Sequence, residues 1–216
     1  MKTPVMFLAF SLAATTLTAC DPAGPDEALI GSWTRMRDGT TEVKDHFSFA
    51  ADGKMTFDEN KPDDRTSEDH MTGTYVVADG VVTATASNTR DGGRSRLTFT
   101  YYANETVFAP QAFRAAGGHD GAVGVWNAMI KVEDLDSPTE APEGLSFMLD
   151  VHADKTLQMN RTFTDNYTQS WQGTWVLDPD RTFRASLVVN GTPSESTFKL
   201  LDGEALVSPT YIWQRD

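Results

Sequence analysis

Thr98-Phe99-Thr100-Tyr101-Tyr102-Ala103-Asn104-Glu105-Thr106-Val107-Phe108-Ala109-Pro110 returns 99 residues later as Thr197-Phe198-Lys199-Leu200-Leu201-Asp202-Gly203-Glu204-Ala205-Leu206-Val207-Ser208-Pro209. Thr-Phe opens both copies, Glu holds the same place, Pro closes both, and the apolar positions between them correspond. Working outward, Gly73-Thr74-Tyr75-Val76-Val77 recurs as Gly173-Thr174-Trp175-Val176-Leu177. The turn Ala51-Asp52-Gly53-Lys54 recurs as Ala153-Asp154-Lys155, and Gly31-Ser32-Trp33 as Gly124-Val125-Trp126. One such pair arises easily by chance; four in the same order, with offsets of 93 to 102, do not. Self-similarity at a steady offset marks a duplicated structural unit. The two units span residues 30–116 and 122–216, and the glycine-bearing segment 117–121 connects them.

Within each unit the hydrophobic period is two, the spacing of a strand with one face buried. Leu97, Phe99 and Tyr101 share a face, as do Leu145, Phe147, Leu149 and Val151. Asp79-Gly80, Asn190-Gly191 and Asp202-Gly203 stand between such runs, and these dipeptides favour tight hairpin turns. No stretch carries a helical stripe. About eight short strands per unit, linked as a meander, must hide their edges, and closure into a barrel does so. The expected fold is therefore all-β, with two tandem small antiparallel up-and-down barrels. The alternative is one larger fused barrel or sandwich drawing strands from both halves, since units under a hundred residues bury a modest share of their surface.

A Gly-x-Trp opening such a meander, here at Gly31 and at Gly124, resembles the lipocalin family and its smaller bacterial lipocalin-like relatives. The resemblance implies that each Trp lies on the first strand at the closed end of a barrel, with an Arg from the last strand over its ring. Arg114 and Arg215 end the two units, so the resemblance pairs Arg114 with Trp33 and Arg215 with Trp126. Each contact is worth about 0.5–2 kcal/mol.

The N-terminus carries a second resemblance. Lys2 precedes an apolar and small-residue run over residues 5–17, too short for a permanent span of ~20 residues but right for a secretory signal. It ends in Leu17-Thr18-Ala19-Cys20, which resembles the lipobox of bacterial lipoproteins. That family implies removal of residues 1–19 and acyl chains on Cys20, with residues 20–29 as a lipidated tether. Cys20 is the chain's one cysteine, so no internal disulfide can form, and lipidation accounts for the single thiol. The expected location is the bacterial cell envelope, lipid-anchored and facing the periplasm or the exterior. Asp21 leans the assignment toward the inner membrane.

Eighteen basic against 31 acidic residues give a net charge of −13. Phosphate binding wants a basic surface, so a nucleic-acid partner is not expected. Neither is a catalytic role: the chain has no Gly-x-Ser-x-Gly, no His-Glu-x-x-His and no phosphate-cradling loop. His46, His70 and His119 each adjoin an Asp, but strand neighbours point to opposite faces, so no metal or cofactor is expected. The acidic stretches around 58–69 and 133–143 read as solvated loops.

One polar feature stands out in the first unit. If Val43, Phe47 and Phe49 face inward, alternation turns Asp45 inward too, and Arg35 shares the face of Trp33. A buried Arg35–Asp45 pair could hold a ligand head group, since buried charges are rarely left unpaired. The plainer expectation sets Asp45 at a strand end in water. The functional expectation is a non-enzymatic envelope lipoprotein binding a small apolar ligand or lipid within a barrel. The alternative is an interaction module that docks an envelope protein through its acidic surface loops.

Overall fold

Sixteen strands follow one another along the chain in the computed structural model, which describes residues 26–36, 43–59, 69–137 and 143–216. Residues 1–25, with the expected signal segment, Cys20 and Asp21, lie outside the described residues. The first unit supplies β1 (Gly31–Met36), β2 (Val43–Phe49), β3 (Lys54–Glu59), β4 (Asp69–Ala78), β5 (Val81–Asn88), β6 (Arg94–Ala103), β7 (Val107–Pro110) and β8 (Phe113–Ala115). The second supplies β9 (Gly124–Asp134), β10 (Glu143–Val151), β11 (Thr156–Phe163), β12 (Thr168–Leu177), β13 (Thr182–Val189), β14 (Thr192–Leu201), β15 (Ala205–Val207) and β16 (Trp213–Arg215). A single 3-10 turn, Pro209–Tyr211, is the only helical element among the described residues.

Every strand pairing is antiparallel. Eight strands close into a barrel in the order β6-β5-β4-β3-β2-β1-β16-β7, with β7 pairing back to β6. The other eight continue the same sheet in the order β10-β11-β12-β13-β14-β15-β8-β9, and β9 also pairs β10. The two sets meet where Phe99–Ser95 of β6 lies against Ile130–Asp134 of β9.

Local chemistry sets the turns. Asp79 and Gly80 have φ of 52° and 73°, and Asn190 and Gly191 have 51° and 80°. Two successive positive φ values match the twist of a two-residue hairpin, which is why Asp-Gly and Asn-Gly stand there. Alternation then sorts the faces: Val82 and Ala84 are buried, whereas Val76 and Val188, on the outward face, are about half exposed.

The core forms three clusters. Trp33, Phe47, Phe49, Tyr75, Phe99, Phe108 and Trp213 fill the barrel. Trp126, Leu149, Trp175, Phe183, Phe198 and Leu206 fill the second set. Tyr102, Ala109, Ala112, Ala205 and Val207 pack between them.

Hydrogen bonds recur at matched positions of the two halves. Trp33 Nε1 donates to the Leu29 carbonyl at 2.9 Å, and Trp126 Nε1 to the Ala122 carbonyl at 2.9 Å. Tyr75 Oη donates to the Ala50 carbonyl, and Trp175 Nε1 to the His152 carbonyl. Gly73 and Gly173 lie so close to the next strand that an added Cβ would stand 2.0 Å from the Thr85 and Ser186 carbonyl oxygens respectively.

The pairing departs from the sequence units in one respect: the last strands change places. β8, from the first unit, pairs with β9 and β15; β16, from the second, pairs with β1 and β7. The cause is loop length. Only residues 116–123 separate β8 from β9, so the two form a hairpin at little loop-closure cost. That leaves the gap between β1 and β7 for β16. The boundary expected at 117–121 therefore does not divide the strands in space.

Candidate functional site

Arg35 on β1 and Asp45 on β2 are directly opposed Cα partners. A register shift follows between Arg35 and Met36, ending the regular ladder beside the pair. Asp45 is 1% exposed, so it is not at a strand end in water; it is buried and ion-paired through Oδ2 to Arg35 Nη2. Alternation from Phe47 and Phe49 turned it inward, and Arg35 made that position tolerable. Arg35 Nη1 also donates to the Thr210 carbonyl at 3.1 Å, and the guanidinium lies 4.5 Å from the Trp213 ring centroid and 5.3 Å from that of Tyr211.

This pair borders a cavity of about 250 Å³ inside the barrel. Phe47, Met55, Phe57, Leu97 and Phe99 form much of the wall, and Ile130 comes across from β9. Three of the residues that line it also carry a buried side-chain polar atom without a hydrogen-bond partner: Arg35 Nε, Asp45 Oδ1 and Trp213 Nε1. Among the described residues only one other such atom exists, Arg161 Nε.

The barrel is sealed at the Trp33 end. Trp33 is fully buried, Tyr101 Oη donates to Asp26, and the Arg215 guanidinium lies 4.7 Å from the Trp33 ring centroid and donates to the Ile30 carbonyl at 2.8 Å. Burial, then the Asp26 hydrogen bond, pushes the Tyr101 phenol well above the usual tyrosine range. The same causes, with Asp202 as acceptor, push Tyr102 up to about 12.

The aromatic–cation pairs differ from expectation. Arg215, not Arg114, covers Trp33, because β16 crosses into the barrel. Trp126 is not covered by Arg215; the His119 ring meets it edge-on at 5.0 Å. Nor does Arg114 reach Trp126: Ala115 is the residue opposed to Trp126, and a one-residue offset puts Arg114 on the other face. There Arg114 Nη1 donates to the Tyr101 carbonyl at 3.1 Å.

The second set carries no counterpart of the ion pair. The positions matching Arg35 and Asp45 are Ala128 and Phe147, again directly opposed. A smaller cavity of about 170 Å³ lies there among Phe113, Phe147, Met159 and Phe198. Pro110, Gln111 and Tyr211 line both cavities, so the two crossover segments stand between them.

The histidines lie elsewhere. His46 and His70 sit on the outside of the barrel, each against Asp58, and His46 Nε2 is 3.2 Å from Asp216 Oδ2. Among the described residues no three His, Cys, Asp or Glu side chains are arranged to hold a metal ion.

Tyr211, Trp213 and Ile130 were not legible as site residues, since all three come from the far half of the chain. Comparison with known proteins finds no family model, no curated protein and no solved structure that matches.

Proposed function

We propose that this protein is an exported bacterial lipoprotein that holds a small apolar molecule inside its barrel, by binding and not by catalysis. The observation that carries the reading is the barrel cavity of about 250 Å³, walled by aromatic and aliphatic side chains with a few polar residues, Arg35, Asp45 and Gln111 among them, in its lining. That combination is the usual make-up of a small-molecule site. The second set of strands is read here as a second lipocalin-like barrel, exchanged with the first through its last strand. Its repeated Trp, Gly and backbone hydrogen-bond positions support this.

Anchoring follows from Cys20. Two or three acyl chains hold firmly where one holds marginally; the tether to the bilayer is then shorter than the 20–29 expected from the sequence, since Asp26 is bonded by Tyr101 and Leu29 is buried in the barrel core, and Asp21 favours the inner membrane. The net charge of −13 keeps the protein off anionic lipid and nucleic acid.

Native mass spectrometry on protein purified without detergent, followed by denaturing extraction, tests the cavity. A reproducible adduct lost on denaturation is the expected result. A clean apo mass that a panel of lipids and hydrophobic dyes leaves unshifted would remove the ligand-binding reading and favour docking of an envelope protein. For the anchor, Cys20→Ser is expected to move the protein from the membrane to the soluble fraction. Unchanged membrane retention would refute lipidation at Cys20.

A further inference from the structure

We infer that the second set of strands carries its own binding site for a monoanionic amphiphile, a carboxylate held by Arg161 with its hydrocarbon tail in the neighbouring cavity. The site is separate from the first-barrel cavity and does not rest on that reading.

Strand register places Arg161. Trp126, Leu149, Met159 and Trp171 are successive Cα partners across β9, β10, β11 and β12 and form one inward row. Two residues along the strands, the next inward row is Ala128, Phe147, Arg161 and Gln169. Leu157 is 3% exposed in the second core cluster, and alternation through Met159 turns Arg161 to that same face. At the matched positions the first barrel has Arg35, Asp45 and Glu59, all lining its cavity, so its cation stands among carboxylates. The second set has Ala128, Phe147 and then Arg161, a cation without them.

The guanidinium is oriented but not neutralised. Nη2 donates to Gln169 Oε1 at 2.5 Å, and the group lies 4.8 Å from the Phe163 ring centroid and 5.3 Å from that of Trp171. None of these contacts supplies a negative charge. Among the described residues no carboxylate forms an ion pair with Arg161. Two carboxylates share this end of the sheet, Glu143 at the start of β10 and Asp165 in the turn after β11. Both residues are exposed, and Asp165 Oδ1 accepts from the Tyr167 amide at 2.9 Å. Arg161 is only partly buried, but its Nε is closed to water, so an incoming anion meets the Nη atoms. A guanidinium presents five N–H donors, and Gln169 takes one.

The tail has a place beside this head. Phe147, directly opposite Arg161, and Met159, two residues before it, both line the cavity of about 170 Å³, whose lining holds no charged side chain. At ~30 Å³ per water-sized group, that volume takes roughly five or six carbons. Arg161 is offset from Met159 by ~7 Å of strand, which takes up the first few carbons. An eight-carbon monocarboxylate fits.

Charge selects the head. One half-buried cation pairs one negative charge; a dianion leaves the excess unpaired, an ammonium is repelled, and an alcohol forgoes the charge-assisted bond. The protein's net negative charge opposes any anion at long range, but charges beyond ~8 Å are largely screened at physiological salt.

Calorimetry on the purified protein at neutral pH compares octanoate, octan-1-ol and octylamine. Octanoate is expected to bind at least about tenfold more tightly than octan-1-ol, with octylamine weakest. Octanoate binding is also expected to weaken as salt rises and to shift the Trp171 indole N–H resonance, assigned with Trp171→Phe. Arg161→Gln is expected to erase the preference while octan-1-ol still binds. If that variant does not fold, Arg161→Lys, which keeps the charge and loses the planar fork, is expected to bind octanoate several-fold more weakly with the salt dependence retained. Leu97→Trp, which narrows the first cavity, is expected to leave octanoate affinity unchanged.

Octanoate binding no tighter than octan-1-ol, or a preference that survives Arg161→Gln, would overturn the inference and leave the first-cavity reading standing. A preference lost with Leu97→Trp and kept with Arg161→Gln would move the anion to the first barrel, and overturn it too.

Discussion

Replacing Trp213 with Ala is expected to damage the barrel built from the first half of the chain, although Trp213 lies in the last strand of the second half. Trp213 is 3% exposed, and its ring centroid lies 5.8 Å from those of Phe47 and Phe108, both first-unit residues. A buried aromatic of this kind removes ~150–250 Å² from water, worth about 4–6 kcal/mol at ~25 cal/mol per Å². Measured Trp-to-Ala losses in cores run ~3–5 kcal/mol. The indole N–H has no partner, so no hydrogen bond is lost with it. The expected cost is therefore about 4 kcal/mol, a large share of the ~5–15 kcal/mol that holds a domain. For a chain of this size the midpoint of thermal unfolding falls by about 8–16 °C. Hydrogen exchange read by mass spectrometry locates the damage: protection is lost first in β1, β2 and β7, with β13 and β14 spared. Phe113→Ala is the reciprocal case. Phe113 belongs to the first unit but packs 5.4 Å from Phe198 and 6.0 Å from Phe147, so its loss falls on the second set. If Trp213→Ala loosened β13 to β15 and left β1 and β2 protected, the exchange of last strands would be refuted.

Three further outcomes follow from the same geometry. Gly73→Ala and Gly173→Ala each force a Cβ to 2.0 Å from a neighbouring carbonyl oxygen, so each is expected to cost more than ~2 kcal/mol. Gly117→Ala meets nothing and should leave the urea midpoint unchanged; equal midpoints for all three would contradict the close strand approach. Arg215→Ala removes the cation–π contact on Trp33 and is expected to cost ~0.5–2 kcal/mol, whereas Arg114→Ala should leave the Trp33 environment untouched. Near-ultraviolet circular dichroism checks which arginine covers that ring. Tyr75, Tyr101 and Tyr102 are all pushed up in the fold, so three of the five tyrosines should ionise only above the ordinary value of ~10. Because their folded values are raised, their stabilising contribution is complete below pH ~10 and declines as pH rises toward the folded value of about 12 for Tyr102. A denaturation midpoint that is flat across that range would refute the coupling.

Much of the barrel was readable because its causes are local. Period-two alternation set which residues face inward, and it allowed an inward Asp45 beside Phe47 and Phe49, but the plainer expectation of a strand end in water was overturned only by the burial of Asp45 against Arg35. Asp-Gly and Asn-Gly fixed hairpins, since few other dipeptides accept two positive φ values. The doubled Thr-Phe…Pro phrase and the two Gly-x-Trp openings brought Trp33 and Trp126 to matched hydrogen bonds on carbonyls four residues back.

What the sequence alone left open was which final strand, β8 or β16, closes the barrel. Arg114 and Arg215 end their units alike, and nothing in either segment distinguishes β8 from β16. The choice is made by chain connectivity: β8 is held within eight residues of β9 and pairs there, so β16 must close the barrel from the far end of the chain. From that one outcome follow the cover over Trp33, the Trp213 and Tyr211 walls of the cavity, and the setting of the Arg35–Asp45 pair. Strand character is a property of neighbours a few residues apart, whereas a barrel's last seam joins segments more than a hundred residues apart, and only the folded chain decides it.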